Sequence, residues 1–258
     1  MKKLLILTLA LLLLLPAAYA QQEDMYFPQP ENSILYFVDC IKNQDIGGTA
    51  DSMATQSAAA HFDTQKYLET AKGLYPNTPN RFLGDDLQFQ GLNAQINRAN
   101  NLLSVHGLLS SLALPDMPDN QRFGALPMTP DGLFAVSEGE ALTLEEYTAR
   151  FAPANFAGLE LQELYENTAD ALKGGLNQRN AAIYGALDSG EYIAIYAFNG
   201  QLFQHGFTLV QYPEGWQILK LSAPMSGTSP MGSAQMIDQK ALDALRANPI
   251  FAKVFPAE

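Results

Sequence analysis

Residues 190–222 read GEYIAIYAFNGQLFQHGFTLVQYPEGWQILKLS, and several independent signals in this stretch agree on one structure. Asn199-Gly200 is a type I′ hairpin signal, because both central residues of that turn need positive φ. Pro213-Glu214-Gly215 is a second reversal, with proline presetting φ and glycine accepting a left-handed position. The runs between are rich in Ile, Val, Tyr and Phe, as pleated, half-buried surfaces favour. The expectation is a three-stranded antiparallel meander.

Turn geometry then sets the register. With Asn199 and Gly200 as the loop, Phe198 pairs with Gln201, Tyr196 with Phe203, Ala194 with His205, and Tyr192 with Phe207. With 213–215 as the second loop, Tyr212 faces Trp216, Leu209 faces Leu219, and Phe207 faces Leu221. One face then carries Tyr192, Tyr196, Phe198, Phe203, His205, Phe207, Leu209, Leu219 and Leu221. The other carries Ile193, Ile195, Leu202, Val210, Tyr212, Trp216 and Ile218. A sheet with one wet face alternates apolar and polar residues, and this one does not, so each face is covered or lines a cavity. The aromatic face is the better cavity candidate. Tyr192, Tyr196, Phe203, His205 and Phe207 are the candidate ligand-binding residues, with His205, opposite the small Ala194, a weak candidate general base. Ordinary core packing would gather the same side chains.

The chain begins MKKLLILTLALLLLLPAAYA over residues 1–20: two lysines, a short apolar run, and a small-x-small cleavage site at Ala18–Ala20. That is the pattern of a secretory signal peptide, bacterial in style, and the run is too short for an ordinary transmembrane helix. The periplasm or the exterior is the expected location. The formal charge is −12. Loss of Lys2 and Lys3 leaves 13 basic against 27 acidic residues, which is 13 − 27 = −14. Such an acidic surface repels nucleic acid and anionic membranes, so nucleic-acid binding is excluded. Cys40 is the single cysteine and sits in an apolar helical pattern, as a buried, inert thiol does.

Residues 21–114 read as a helical region behind a loose polar leader, residues 21–30. Apolar residues at Ile34, Leu35, Phe37, Val38 and Ile41 make a helical stripe. Residues 49–60 and 63–74 are further helix candidates, with Thr49 or Asp51, and Asp63, as caps. Residues 86–114 form the longest, apolar nearly all round from Leu102, which places His106 inside. Residues 115–131 are a proline-punctuated loop. Residues 132–222 are an α+β region: a short strand at 133–136, helices at 143–151, 159–173 and 177–187, then the meander. Residues 223–258 read as a linker, a last helix and an apolar tail, with Ile250, Phe251, Val254 and Phe255 needing a docking place. The fold class is α+β, an N-terminal helical region packed with a C-terminal antiparallel meander.

Chemical motifs are sparse. There is no glycine-rich phosphate loop, no zinc or Ca²⁺ pattern, and no nucleophile elbow. His61, His106 and His205 are far apart in sequence, so no metal or cofactor is expected.

The segment YPEGWQILKLS, together with the opening helix at 33–43 followed by Gln44-Asp45 and a second helix, resembles NTF2-like, cystatin-like α+β domains. The long helical stretch 86–114 departs from their pattern. That superfamily hosts binding proteins, isomerases and hydratases in one cone-shaped pocket, so the resemblance implies a fold and no catalytic residue. The first functional expectation is a non-catalytic exported protein that binds a small apolar ligand or a protein partner. Two others stay open: an isomerase or hydrolase using His205 in an aromatic pocket, and a structural module that homodimerises through the sheet or the tail.

Overall fold

A computed structural model describes residues 24–72, 86–229 and 231–256. The expected signal peptide, residues 1–20, lies outside them. The chain is α+β, as the sequence implies. Its helices are α1 (Pro30–Lys42), α2 (Ile46–Asp51), α3 (Gln56–Ala60), α4 (Thr64–Ala71), α5 (Leu87–Ala113), α6 (Asp119–Arg122), α7 (Leu144–Arg150), α8 (Asn177–Ile183) and α9 (Gln239–Ala247). Strands β1 (Phe134–Ser137) and β2 (Glu140–Leu142) form a small hairpin. The main sheet has the order β6-β5-β4-β3-β8, with β7 also on β5: β3 (Glu160–Asn167), β4 (Asp188–Phe198), β5 (Gln201–Tyr212), β6 (Gly215–Lys220), β7 (Gln235–Ile237) and β8 (Phe251–Phe255).

The first hairpin has the expected register: Phe198 pairs with Gln201, Tyr196 with Phe203, Ala194 with His205, and Tyr192 with Phe207. Asn199 and Gly200 both take positive φ, 49° and 75°. The second reversal is tighter than the expected 213–215 loop, since Tyr212 pairs with Gly215. Gly215 is needed for a different reason: a Cβ there would stand 2.5 Å from the carbonyl oxygen of Phe27. The change of register puts Ile218 opposite Leu209 and Trp216 opposite Gln211, which moves Ile218 and Trp216 to the aromatic face. By alternation Leu219 then lies on the other face, and a bulge after Ile218 returns Leu221 to the aromatic one.

Both faces are covered. α1 lays Ile34, Phe37, Val38 and Ile41 on the aromatic face, and α5 adds Val105, Leu108 and Leu112. On the other face, Leu242 and Leu245 of α9 pack on Tyr165, Ile193 and Ile195. Ala54 and Ala58 meet Val210, Tyr212 and Leu219.

Several expectations are corrected. Residues 159–173 are not an amphipathic helix; Glu160–Asn167 is strand β3, paired with both β4 and β8. Two bulges break its alternation, which is why no period of two is visible. Residues 49–60 break at Met53, which bridges to Ile218 of β6, and Asp45 rather than Thr49 or Asp51 caps α2. Asp63 and Asp86 cap α4 and α5 as expected. His106 is exposed, stacked on Phe151 at 5.6 Å, and Leu102 and Leu103 of α5 are exposed too. The loop 115–131 contains α6 and is pinned by buried Arg122, which donates to the carbonyls of Leu114 and Met117.

The described residues of the linker at 222–233 are anchored, not loose. Ala223, Thr228, Ser229 and Ser233 are buried, and the crossing lies so close to Gly206 that a Cβ there would collide with Thr228 Oγ1 and Ala223 N. The buried Glu191 carboxylate accepts from Ser226 Oγ at 2.9 Å and Met225 N at 3.3 Å, and burial pushes its pKa up. The apolar tail docks on its own sheet as β8. There Glu163 accepts from Arg246 Nη2 at 2.9 Å, Lys253 Nζ at 3.1 Å and the Tyr165 hydroxyl at 2.5 Å. Burial opposes its charge, but those hydrogen bonds outweigh it and hold the carboxyl at about 2.

Two predictions follow from this packing. Phe207 is fully buried, with Phe37 edge-on at 5.6 Å. Phe207→Ala should cost about 3–5 kcal/mol in urea unfolding, and an unchanged midpoint would refute the packing described. The depressed carboxyl of Glu163 contributes stability above its ordinary range near 4.5, lost as pH falls towards 2. Glu163→Gln should flatten that part of the acid-stability curve while lowering stability at pH 7.

Candidate functional site

The five sequence-predicted residues Tyr192, Tyr196, Phe203, His205 and Phe207 do share one face, and the structure packs them shut. Tyr196 and His205 are 0% exposed, and α1 and α5 lie over the face they share with Phe207. The His205 ring sits 4.7 Å from Phe207, edge-on, and its Nδ1 is 3.2 Å from the Tyr196 hydroxyl. Nε2 makes no hydrogen bond of good geometry, although the backbone of Gly232 and Leu221 lies near enough to favour a charged ring. Desolvation dominates and pushes the imidazole down to about 3, so it is neutral at physiological pH. A general base needs contact with substrate, and a ring enclosed on every side has none. The pocket expected here is occupied by the protein's own core.

An open cleft lies elsewhere, against the far face of the sheet near Tyr212. Its volume is about 510 Å³. The leader supplies Asp24 and Tyr26, the α3 segment supplies Gln56, Ser57, Ala60 and His61, and the first turn of α5 supplies Leu87, Gln90 and Gly91. The leader is docked rather than loose. Phe27 forms an antiparallel bridge with Trp216, donating at 3.0 Å and accepting at 2.7 Å. Asp24 is 8% exposed, and its Oδ2 accepts from Thr55 N at 2.9 Å, Ser57 N at 2.8 Å and Ser57 Oγ at 2.7 Å. It thereby supplies, from a distant segment, the cap that Thr55 fails to give α3.

Ser57 Oγ also lies 2.5 Å from Gln217 Oε1, and its one proton serves one acceptor at a time. Gln217 Nε2 donates to Met25 O at 3.1 Å, which fastens the leader to β6. Behind the cleft stands Tyr212, with the rings of His61 at 5.1 Å and Tyr26 at 6.4 Å leaning on it. Its hydroxyl donates to Tyr184 O at 3.1 Å, and burial raises its pKa. Gly185 has φ +57 beside His61, where a Cβ would stand 2.7 Å from the His61 carbonyl oxygen. So glycine is required for the approach that sets His61 at the mouth.

Asp24, Ser57 and His61 share this cleft without forming a catalytic triad. Ser57 is bonded to Asp24 and Gln217, and no hydrogen bond joins it to the His61 ring. Cys40 is buried in α1 and hydrogen-bonded with Tyr36. Desolvation raises the thiol's pKa, the opposite of an activated nucleophile. Among the described residues, no group of three or more His, Cys, Asp or Glu side chains is placed to hold a metal ion. No helix among them is long and apolar enough to cross a membrane.

No protein-family profile matches the sequence, and no curated protein matches it. A solved structure of a cystatin-like protein from Ruminococcus gnavus is similar in fold, with a TM-score of 0.46 and 16% identity. The match covers 81% of this chain and 45% of that one, so this chain spans under half of that protein's length.

The cleft was not legible beforehand, because its carboxylate lies in a leader that reads as loose polar sequence. The docked position of Asp24 depends on amides 31 and 33 residues away. The core imidazole yields a measurable signature. His205, depressed to about 3, takes no proton in the folded state while the unfolded chain does so below about 6.5. Stability should therefore fall as pH drops from 6.5 towards 3. His205→Phe should remove that slope from the urea-midpoint profile, and a slope of undiminished size would contradict a neutral buried ring.

Proposed function

We propose that the chain is an exported, non-catalytic binding protein whose ligand enters the cleft between the leader, α3 and α5. The observation that carries this reading is the cleft itself. At about 510 Å³ it lies within the usual size of small-molecule sites, and it mixes rings, an aliphatic side chain and a few converging polar groups. The aromatic face around His205 offers a ligand no entry, so the binding role moves to the opposite side of the sheet. Residues 1–20 support export: a basic start, a compact apolar run and a small-residue cut site. Homodimerisation through the tail has less support, since Phe251–Phe255 is already used as a strand of the chain's own sheet.

Gly91 gives a clean test, because a Cβ there meets nothing within 4 Å. Gly91→Trp should fill the cleft and leave the melting midpoint within about 2 °C, since an exposed helix position tolerates a larger side chain. Small molecules recovered from the wild-type protein by denaturation and mass spectrometry should be absent from this variant. Recovery of the same compounds from both would place the binding site elsewhere. Fractionation of expressing cells should find the chain outside the cytoplasm with Gln21 as its first residue; a retained residues 1–20 segment would overturn the export reading.

A further inference from the structure

We infer that the cleft selects a small alkylammonium ligand, a primary amine on an aliphatic stem, a proposal that rests on the binding reading above. Among the described residues, those that line it include one carboxylate, Asp24, and no lysine or arginine. Asp24 is more than nine-tenths buried, and all three of its protein hydrogen bonds arrive at Oδ2. Oδ1 takes no hydrogen bond among the described residues, and it is not among the enclosed polar atoms that lack partners. In a residue that lines the cleft, Oδ1 is therefore the acceptor offered to whatever enters. A carboxylate held by two backbone amides, and by the Ser57 hydroxyl whenever its proton is not on Gln217, is preorganised for one incoming donor.

The rest of the lining fits the same class. Tyr26 is in the lining, and an aromatic ring is a group that attracts an ammonium. Leu87, 83% exposed at the start of α5, offers an apolar surface for the stem. Gln56 and Gln90 add neutral amide groups rather than charge. An anionic ligand would meet Asp24 with no cation among the described lining residues to offset it. A wholly apolar one would leave a buried carboxylate without a partner. The chain's formal charge of −12 draws cations towards it at long range.

Isothermal titration of the folded protein with 1,5-diaminopentane, 1-pentanol and glutarate separates the possibilities. The diamine should bind, and the alcohol and the diacid should not. Binding should weaken as sodium chloride rises from low to molar concentration. Asp24→Asn should weaken the diamine about ten- to hundredfold, the size expected for one charge-assisted contact. Because Asp24 also caps α3, its variant is checked by its melting midpoint. Gly91→Lys serves as the second variant: it places a cation in open space at the cleft and leaves the Asp24 bonds untouched. It should abolish diamine binding with the fold intact. Diamine binding that survives Gly91→Lys would overturn the proposal. Binding of glutarate or pentanol in preference to the diamine would leave the cleft as a site and overturn the amine class. Binding of none of the three, with nothing recovered from purified protein, would overturn both.

Discussion

Both faces of the main sheet are apolar, and neither can be left in water. That constraint organises the molecule. β4 alone carries Tyr192, Tyr196 and Phe198 on one side and Ile193 and Ile195 on the other, all nearly fully buried. Burial of a large apolar side chain stabilises by about 1.5–3 kcal/mol, so each uncovered face would forfeit a large part of the folding free energy. The chain answers with α1 and α5 on one side, and with α9 and the short α3 on the other. The two faces draw on different parts of the chain: α1 and α5 precede the strands and cover the aromatic face, while the reverse is covered by α3 from before them and by α9 from between β7 and β8.

The sheet edges impose the second demand. An exposed strand edge is a template for pairing with another chain. On the β6 side, Phe27 bridges to Trp216, and Met53 and Ala54 meet Ile218. On the other side β8 extends the sheet, and the Glu163 cluster locks it together with α9 through Arg246 and Lys253. Segments that look expendable in sequence, the polar leader and the apolar tail, are thus the pieces that finish the sheet. The cleft arises as a consequence, because the leader leaves β6 and passes across α3 before the first turn of α5 arrives.

How much of this the sequence discloses depends on where each signal is stored. Turns are local: Asn199-Gly200 fixes four residue pairs, and the structure has all four. Caps are local too, as Asp63 and Asp86 demonstrate. β3 is different. Its residues, ELQELYEN, favour helix by composition, and the strand exists only because β4 and β8 flank it. The second turn is one residue shorter than Pro213-Glu214-Gly215 suggests, which reversed the sides expected for Trp216, Ile218 and Leu219, and only the bulge after it brings Leu221 back to the aromatic face. The candidate site suffered most. It depends on a carboxylate and two amides that are far apart in the chain, and no periodicity or spacing encodes that meeting.

The two histidines beside tyrosines show why location decides chemistry here. His205 and His61 each lie within 6 Å of a tyrosine ring, Tyr196 and Tyr212 respectively. His205 is sealed between the sheet and its covering helices, where desolvation strips it of its charge and leaves one nitrogen unbonded. Its imidazole serves as a ring that fills space and anchors Tyr196. His61 ends α3 at the mouth of the cleft, held there by the close approach of Gly185. Aromatic density in a sequence marks where the core is thickest, and the thickest part of a core is the least accessible to a ligand. In this fold the open space lies at the periphery, where a short helix, a docked leader and the first turns of a long helix meet around a cleft.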